Sequence, residues 1–337
     1  MRRFLIKRLI LGIFIVVFGT FITYAVLRCL PTSYVEQLAR EAATRPVSAS
    51  STLPEGMTRY EYYLGQLNKK YGMDKNIIEG FLTWAGSAII GDFGESWLFT
   101  QPVTYKFGQV IWYSVFLQVL VLIVEMLIAV PLGILAAKKQ YSKTDYAISI
   151  FAIAGMSLPT FFLALLLKYT LSIKLGWFPY YGIASSTVLQ MTPFQRLLDI
   201  GWHLVLPIIT LAMLSIGPLM RYTRTNMLEV LNADYIRTAR AKGLPEKAVI
   251  NRHAFRNTMI PLISYMSYLI PALFTGALIT ETLYSIPGIG LAAYEATIRG
   301  DIPFTMFYVA FQLVLTQVSL MVADIMYAVA DPRVRIN

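Results

Sequence analysis

Six long apolar runs, at residues 9–27, 110–137, 147–172, 203–220, 259–283 and 304–330, constrain this chain more than any other feature. The hydrocarbon layer of a bilayer is about 30 Å thick and a helix rises about 1.5 Å per residue, so a span takes about 20 mostly apolar residues. The runs are continuous and lack alternation of period two, which selects helices over barrel strands. Composition agrees, since 14% of the 337 residues are charged, against about 25% in a soluble domain. The expected fold is an all-α polytopic membrane protein with six transmembrane helices. Residues 1–30 would hold the first span, 31–106 an extracytoplasmic region, and 107–337 a core with spans two to six and a polar loop at 221–258.

The net charge of +10 is a topology signal before it is a binding signal. Arg2, Arg3, Lys7 and Arg8 precede the first run, Lys138, Lys139 and Lys143 separate the second from the third, and Arg333 and Arg335 follow the sixth. Eight more Lys/Arg lie between Arg221 and Pro261. In a six-span protein all four places fall on one side, which by the positive-inside rule places both termini in the cytoplasm. No nucleic-acid recognition motif accompanies the charge.

The first run, preceded by basic residues, also has the outline of a secretory signal. At about 19 residues it exceeds an h-region of about 7–15, and no small-x-small cleavage site follows, so the expectation is a retained span. Cys29, the single cysteine, follows Arg28, a poor neighbour for lipid attachment, and reads as a small apolar filler at the membrane face. Further on, Met57, Tyr60, Leu64, Leu67 and Tyr71 recur at helical spacing, as do Ile77, Phe81, Trp84 and Ala88. Two amphipathic helices are expected, the aromatic second one against the membrane interface. The stretch 45–54, RPVSASSTLP, reads as a connector.

Catalytic machinery is absent from the sequence. It contains no GxxxxGK[ST] loop, no HExxH and no GxSxG elbow. His203 and His253 are the two histidines, and neither has Cys, Asp or Glu at metal spacing, so structural or solvated roles are expected and no metal.

The basic segment reads as helix, tight turn, helix. Asn232 or Asp234 can cap a helix beginning near Tyr235, and Gly243 can end it in the left-handed conformation. Pro245 suits the first turn of the next helix, with Glu246 near its amino end.

These residues carry a resemblance. DYIRTARAKGLP followed by RHAFRNTMIP resembles the cytoplasmic loop of permease subunits of binding-protein-dependent ABC importers, in their dipeptide and oligopeptide branch. GDFGESW with Gln101-Pro102-Val103 resembles the family's segment before span two, and Glu281-Thr282 with Ile286-Pro287-Gly288-Ile289-Gly290 its element after span five. Asp324, Tyr327 and Asp331-Pro332-Arg333 resemble its carboxyl end. The four elements occur in the expected order over most of the chain, and residues 31–90 are the least typical part. Where the broader family pattern has Glu-Ala-Ala, three residues and glycine, this chain has Arg237-Thr238-Ala239 before Gly243.

The resemblance implies the type I ABC importer permease fold in a bacterial-type inner membrane. It implies a coupling helix, with Asp234, Tyr235, Arg237, Thr238, Ala239, Arg240, Ala241, Lys242, Gly243, Leu244 and Pro245 docking on a separate ATPase subunit. Small Ala239, Ala241 and Gly243 would permit close backbone approach, and Arg237, Arg240 and Lys242 would meet acidic groups. A basic helix resting on anionic lipid is the alternative. The implied partners are a second homologous permease, two ATPase subunits, an extracytoplasmic binding protein, peptide substrate and membrane lipid. This chain would be no enzyme and bind no cofactor, with ATP and Mg held by the ATPases. Nickel, opines or another small solute are alternative cargo, and an ATPase-independent secondary transporter is the alternative class, for which inverted repeats are not evident.

Candidate pathway or gating residues are Glu125, Glu281, Pro287, Gly288, Gly290 and Asp324. A carboxyl within a span is costly, so Glu125 is expected either to contact the pathway or to form an interhelix hydrogen bond, and Asp324 to make a packing or gating contact. Lys168 is expected to snorkel toward the outer face. Pro131, Pro159, Pro207, Pro218, Pro261 and Pro271 are potential kinks, and Gly288 and Gly290 suggest a tight external turn, a lid or constriction.

Overall fold

The computed structural model describes residues 2–30, 34–44 and 57–330. The connector at 45–54, the motif Asp331-Pro332-Arg333, and Arg335 lie outside these residues. Among the described residues every regular element is helical. Four helices are long and apolar enough to cross a membrane, or six spans if each of two broken pairs counts as one, which is the arrangement expected from the apolar runs. By contact density the chain divides into two units, Met1–Val110 with Ala292–Gln317, and Ile111–Leu291 with Val318–Asn337.

In the first unit α1 (Arg2–Cys29) is followed by α2 (Tyr34–Thr44), α3 (Arg59–Lys70) and α4 (Ile77–Ile89). The two amphipathic periodicities form α3 and α4 and each begins at a side-chain cap. Thr58 and Glu61 make a reciprocal capping box on α3, and Asn76 accepts the Glu79 N–H on α4. The aromatic face of α4 lies on α1. Phe81 packs edge-on against Phe21 at 5.2 Å, while Ile78, Leu82, Ile89 and Ile90 are left outward. Aromatic rings bury more apolar area per side chain than aliphatic ones, so α1 takes the face with the larger gain.

Arg28, at the end of α1, fixes the α3–α4 connection by donating to the carbonyls of Gly72, Met73 and Lys75. Asp301 does comparable work for the GDFGESW segment. Its carboxylate is fully buried and accepts from the Ser96 hydroxyl at 2.5 Å, from the Leu98 N–H at 3.1 Å and from the Phe304 N–H at 3.2 Å. It thereby caps α14 (Ile302–Ala330) and pins the loop to that cap.

The second unit contains most of α5 (Val103–Lys138), then α6 (Lys143–Ser157), α7 (Thr160–Leu167) and α8 (Pro193–Leu231). The third apolar run is not one straight span. α6 and α7, the latter continued by a π-helical turn at Lys168–Lys174, meet at 99°. Pro159 is the cause, since the residue before a proline is driven out of the helical region and Leu158 sits at ψ 130. By contrast α8 runs through Pro207 and Pro218, and α5 through Pro131. The core has Leu117, Val121, Leu206, Leu219 and Ile286 at its centre. Asp145 at the start of α6 makes two hydrogen bonds, of 2.8 and 2.7 Å, with Arg224 of α8.

Lys168 does not snorkel outward; it is 5% exposed. Its ammonium donates to the Leu283 carbonyl and lies 3.8 Å from the Tyr180 ring centroid and 5.3 Å from that of Tyr284. Aromatic faces are worth about 2 kcal/mol or more to a desolvated cation, and here they replace the water that an outward-reaching lysine would seek.

Candidate functional site

Downstream of α8 come α9 (Asp234–Ala241), α10 (Glu246–Ala248), a π-helical turn at Val249–Ala254, and α11 (Phe255–Thr275). The helix, turn, helix reading holds, but its first cap differs. Ala233 is the residue before α9, in extended conformation, and no side chain caps it. The Asn232 amide is instead spent on the end of α8, donating to the Leu228 carbonyl at 2.9 Å. Asp234 lies inside the first turn, where a negative charge suits the helix dipole, and is 3.9 Å from Arg237.

One face of α9 is seated on a small core. Ile236 is fully buried and Ala239 is 6% exposed, packed with Met227, Val249, Ile250 and Ala254. Ala239 is therefore small because it faces its own chain, which corrects its expected place on an outward docking surface. Tyr235, Arg237, Thr238, Arg240, Ala241, Lys242, Gly243, Leu244 and Pro245 are exposed. The structure brings all of these onto one projecting helix and turn, with Tyr235 and Leu244 as large apolar groups in the open.

The turn depends on Gly243. Its φ is +76°, its N–H donates to the Arg240 carbonyl at 2.9 Å, and the Leu244 N–H reaches the Ala239 carbonyl at 3.4 Å. No atom lies within 4 Å of where a Cβ would be. The demand for glycine is thus conformational and not steric.

Arg240 does not wait for a partner, since its guanidinium clasps Glu246 across the turn at 2.9 and 3.2 Å. Glu246 was legible only as a helix-start residue. The hydrogen bond from Arg240 holds its carboxyl below the ordinary glutamate range. A carboxylate with a lowered folded-state pKa adds stability present above the unfolded value, near 4.3, and lost as pH falls through the folded one. The pair should therefore be intact at neutral pH and weaken only at acid pH. Both side chains are nearly half exposed, so a double-mutant cycle of Arg240→Ala with Glu246→Ala is expected to give a coupling of about 0.2–1 kcal/mol. That coupling should shrink in 1 M salt and below about pH 4; a coupling unchanged by either would contradict the assignment.

The second group of expected residues surrounds Glu281 on α12 (Leu278–Tyr284), ahead of α13 (Ile289–Ile298). Glu281 is fully buried. One carboxylate oxygen accepts from the Ser114 hydroxyl at 2.6 Å and the Ala277 N–H at 2.9 Å; the other accepts from the Leu291 N–H at 2.9 Å. The Ser114 hydroxyl in turn accepts from the Ile289 N–H at 2.8 Å. Ser114 on α5 carried no signal in the sequence, being one serine in an apolar run.

Gly288 and Gly290 are needed for closeness. A Cβ on Gly288 would lie 2.4 Å from the Glu281 carboxyl carbon, and one on Gly290 2.8 Å from the Leu278 nitrogen. Neither has positive φ; the left-handed residues here are Ser285 and Gly276. Glu281, Gly288 and Gly290 are enclosed and Pro287 is exposed. Glu125 of α5 is also buried. Asp324 is half-buried on α14. His203 is buried with Nδ1 2.8 Å from the Asp199 carbonyl. Among the described residues no cluster of His, Cys, Asp and Glu could hold a metal.

Apolar helices long enough to cross a bilayer, with a polar helix and turn between two of them, describe a multi-pass membrane protein. Residues 129–336 match the family described as binding-protein-dependent transport system inner membrane component. The chain belongs to that family. It is 36% identical over 270 residues to the oligopeptide transport system permease protein AppB of Bacillus subtilis, covering 80% of this chain and 84% of that one. It is 31% identical to a putative peptide transport system permease protein of Brucella abortus, covering 99% of each chain. It is also 31% identical to the di/tripeptide transport system permease protein DppB of Pseudomonas aeruginosa, covering 94% of each.

Proposed function

We propose that this chain is the permease subunit of an ATP-driven peptide importer, forming half of the translocation pathway. The observation that carries the reading is the seated α9 helix, which buries Ile236 and Ala239 and leaves Tyr235 and Leu244 outward beside Arg237 and Lys242. A helix so fixed can transmit force, because it moves with the spans from which it springs. It docks on an ATPase subunit whose groove receives Tyr235 and Leu244 and whose acidic groups meet Arg237 and Lys242. The termini and α9 lie in the cytoplasm, as the positive-inside pattern requires.

A second, homologous permease completes the pathway, and an extracytoplasmic binding protein delivers the peptide. ATP and Mg reside on the ATPase subunits. ATP drives transport by binding one arrangement of the assembly better than the other, and this chain shifts between inward-facing and outward-facing states with it. Peptide cargo is supported by the names of the relatives. In this reading Glu281, Gly288 and Gly290 position the turn that carries Pro287, and the turn takes part in gating.

The test is uptake into proteoliposomes holding the complete assembly, with labelled peptide competed by unlabelled peptides and by nickel complexes. ATP-dependent uptake competed by peptides is the expected result. Competition by nickel complexes alone would replace the cargo, and flux without ATPase subunits would overturn the class.

A further inference from the structure

A cleft of about 300 Å³ lies wholly within the unit of Met1–Val110 and Ala292–Gln317. Tyr24 of α1 lines it together with Tyr71, Trp84 and Trp97, and Lys70 and Glu95 stand among its lining residues. Its volume is at the lower end of small-molecule pockets, which run from about 300 to 1,000 Å³. A dipeptide fits such a space, whereas a folded protein segment does not.

The walls are fixed before any ligand arrives. Arg28 holds the carbonyls of Gly72, Met73 and Lys75. The Tyr71 and Trp97 rings pack at 4.9 Å, and Lys75 is tied to the Thr83 hydroxyl at 3.2 Å. Asp92 is likewise used internally, accepting the Gly94 N–H at 3.0 Å. Lys70 and Glu95 are exposed and of opposite sign, with the Lys70 ammonium 5.3 Å from the Tyr71 ring centroid. Aromatic walls suit an apolar side chain, and a cation and an anion at one cleft suit the two charged termini of a zwitterion.

We propose that this cleft binds a short zwitterionic peptide, its carboxylate toward Lys70, its ammonium toward Glu95, and an aromatic or apolar side chain against Tyr71, Trp84 and Trp97. The inference rests on the peptide-importer reading for its ligand class and adds a recognition site made of residues that the reading leaves unassigned.

Trp84 and Trp97 supply the readout. The complete assembly in nanodiscs, without ATP or binding protein, is titrated with alanyl-phenylalanine while tryptophan emission is followed. A saturable change is expected, weakened about tenfold by amino-terminal acetylation, by carboxyl-terminal amidation, and by Lys70→Gln or Glu95→Gln, since a charged hydrogen bond is worth that much. Both substitutions are at exposed positions, which keeps the fold out of the comparison. Trp84→Phe and Trp97→Phe should reduce the signal. No saturation up to about 10 mM, equal affinity for the capped forms, or indifference to both charge variants would overturn the cleft assignment. ATP-driven uptake, measured on the same preparation with the binding protein added, separates the two ideas. Peptide uptake without cleft binding overturns the cleft and leaves the importer reading; cleft binding in an assembly that moves no peptide does the reverse.

Discussion

Glu281→Leu is expected to lower the melting temperature of the detergent-solubilised protein by several degrees and to abolish uptake, although the replacement is apolar and lies beside a membrane span. The substitution leaves the Ala277 and Leu291 N–H groups and the Ser114 hydroxyl without their acceptor. Each buried donor left unsatisfied costs about 1–3 kcal/mol, and one kcal/mol shifts melting by about 2–4 °C in a domain of 150–250 residues. Glu281→Gln should fall in between. An amide has one accepting oxygen where the carboxylate has two, so its NH₂ must confront an N–H or hydroxyl donor.

Two companion variants separate the carboxylate from the shape of its seat. Ser114→Ala removes a donor to Glu281 and the acceptor of the Ile289 N–H together, and should resemble Glu281→Gln. Gly288→Ala keeps every polar group and pushes a methyl to 2.4 Å from the carboxyl carbon, an overpacking expected to cost about 1–3 kcal/mol. Melting temperatures within a degree of the parent for Glu281→Leu and Gly288→Ala would show that the clasp contributes nothing to the fold. Normal melting with lost uptake would instead move Glu281 from support into the transport step itself.

What the sequence disclosed and what it withheld follow physical range. The apolar runs report burial in lipid, a property summed over about 20 residues, and they located the four helices long enough to cross a bilayer, with the third and fifth runs falling on the two broken pairs. Gly243 and Pro245 report local backbone preference, and the turn between α9 and α10 formed where those residues placed it. The local reading failed where two partners competed for one side chain. Asn232 could cap either the helix ahead or the one behind, and it closes α8. Contacts between distant residues left no trace: Ser114 with Glu281 is 167 positions apart and Ser96 with Asp301 is 205. Lys168 shows the same limit, because its aromatic surroundings come from Tyr180 and from Tyr284 of another element. A charge in an apolar run says that compensation exists and not where it is.

Gly243→Pro should remove at least nine tenths of ATP-driven uptake while the protein still inserts and accumulates normally. Proline fixes φ near −65° where Gly243 holds +76°, and it deletes the N–H that bonds to the Arg240 carbonyl; such a misfit costs about 3 kcal/mol or more. The seat of α9, built on Ile236 and Ala239, survives this change, so the loss should fall on the turn and on Leu244 beyond it. Gly243→Ala, with its N–H retained, should show a smaller loss, because a non-glycine residue in the left-handed region costs about 1–3 kcal/mol. Ala241→Glu approaches the same surface from its chemistry. Residue 241 is exposed and its neighbours include Lys242, so a carboxylate there leaves the fold alone and repels acidic groups on a docked ATPase. Ala239→Glu would be a poor test, since it forces a charge into a site 6% exposed and unseats the helix whether or not a partner binds. The decisive measurement pairs uptake with co-purification of the ATPase subunits. Full uptake and undiminished co-purification in both Gly243→Pro and Ala241→Glu would take the docking role away from α9; loss of both, with the spans still inserted in each variant and the melting temperature unchanged in Ala241→Glu, would place the grip of the ATPase on the outward face of this one short helix.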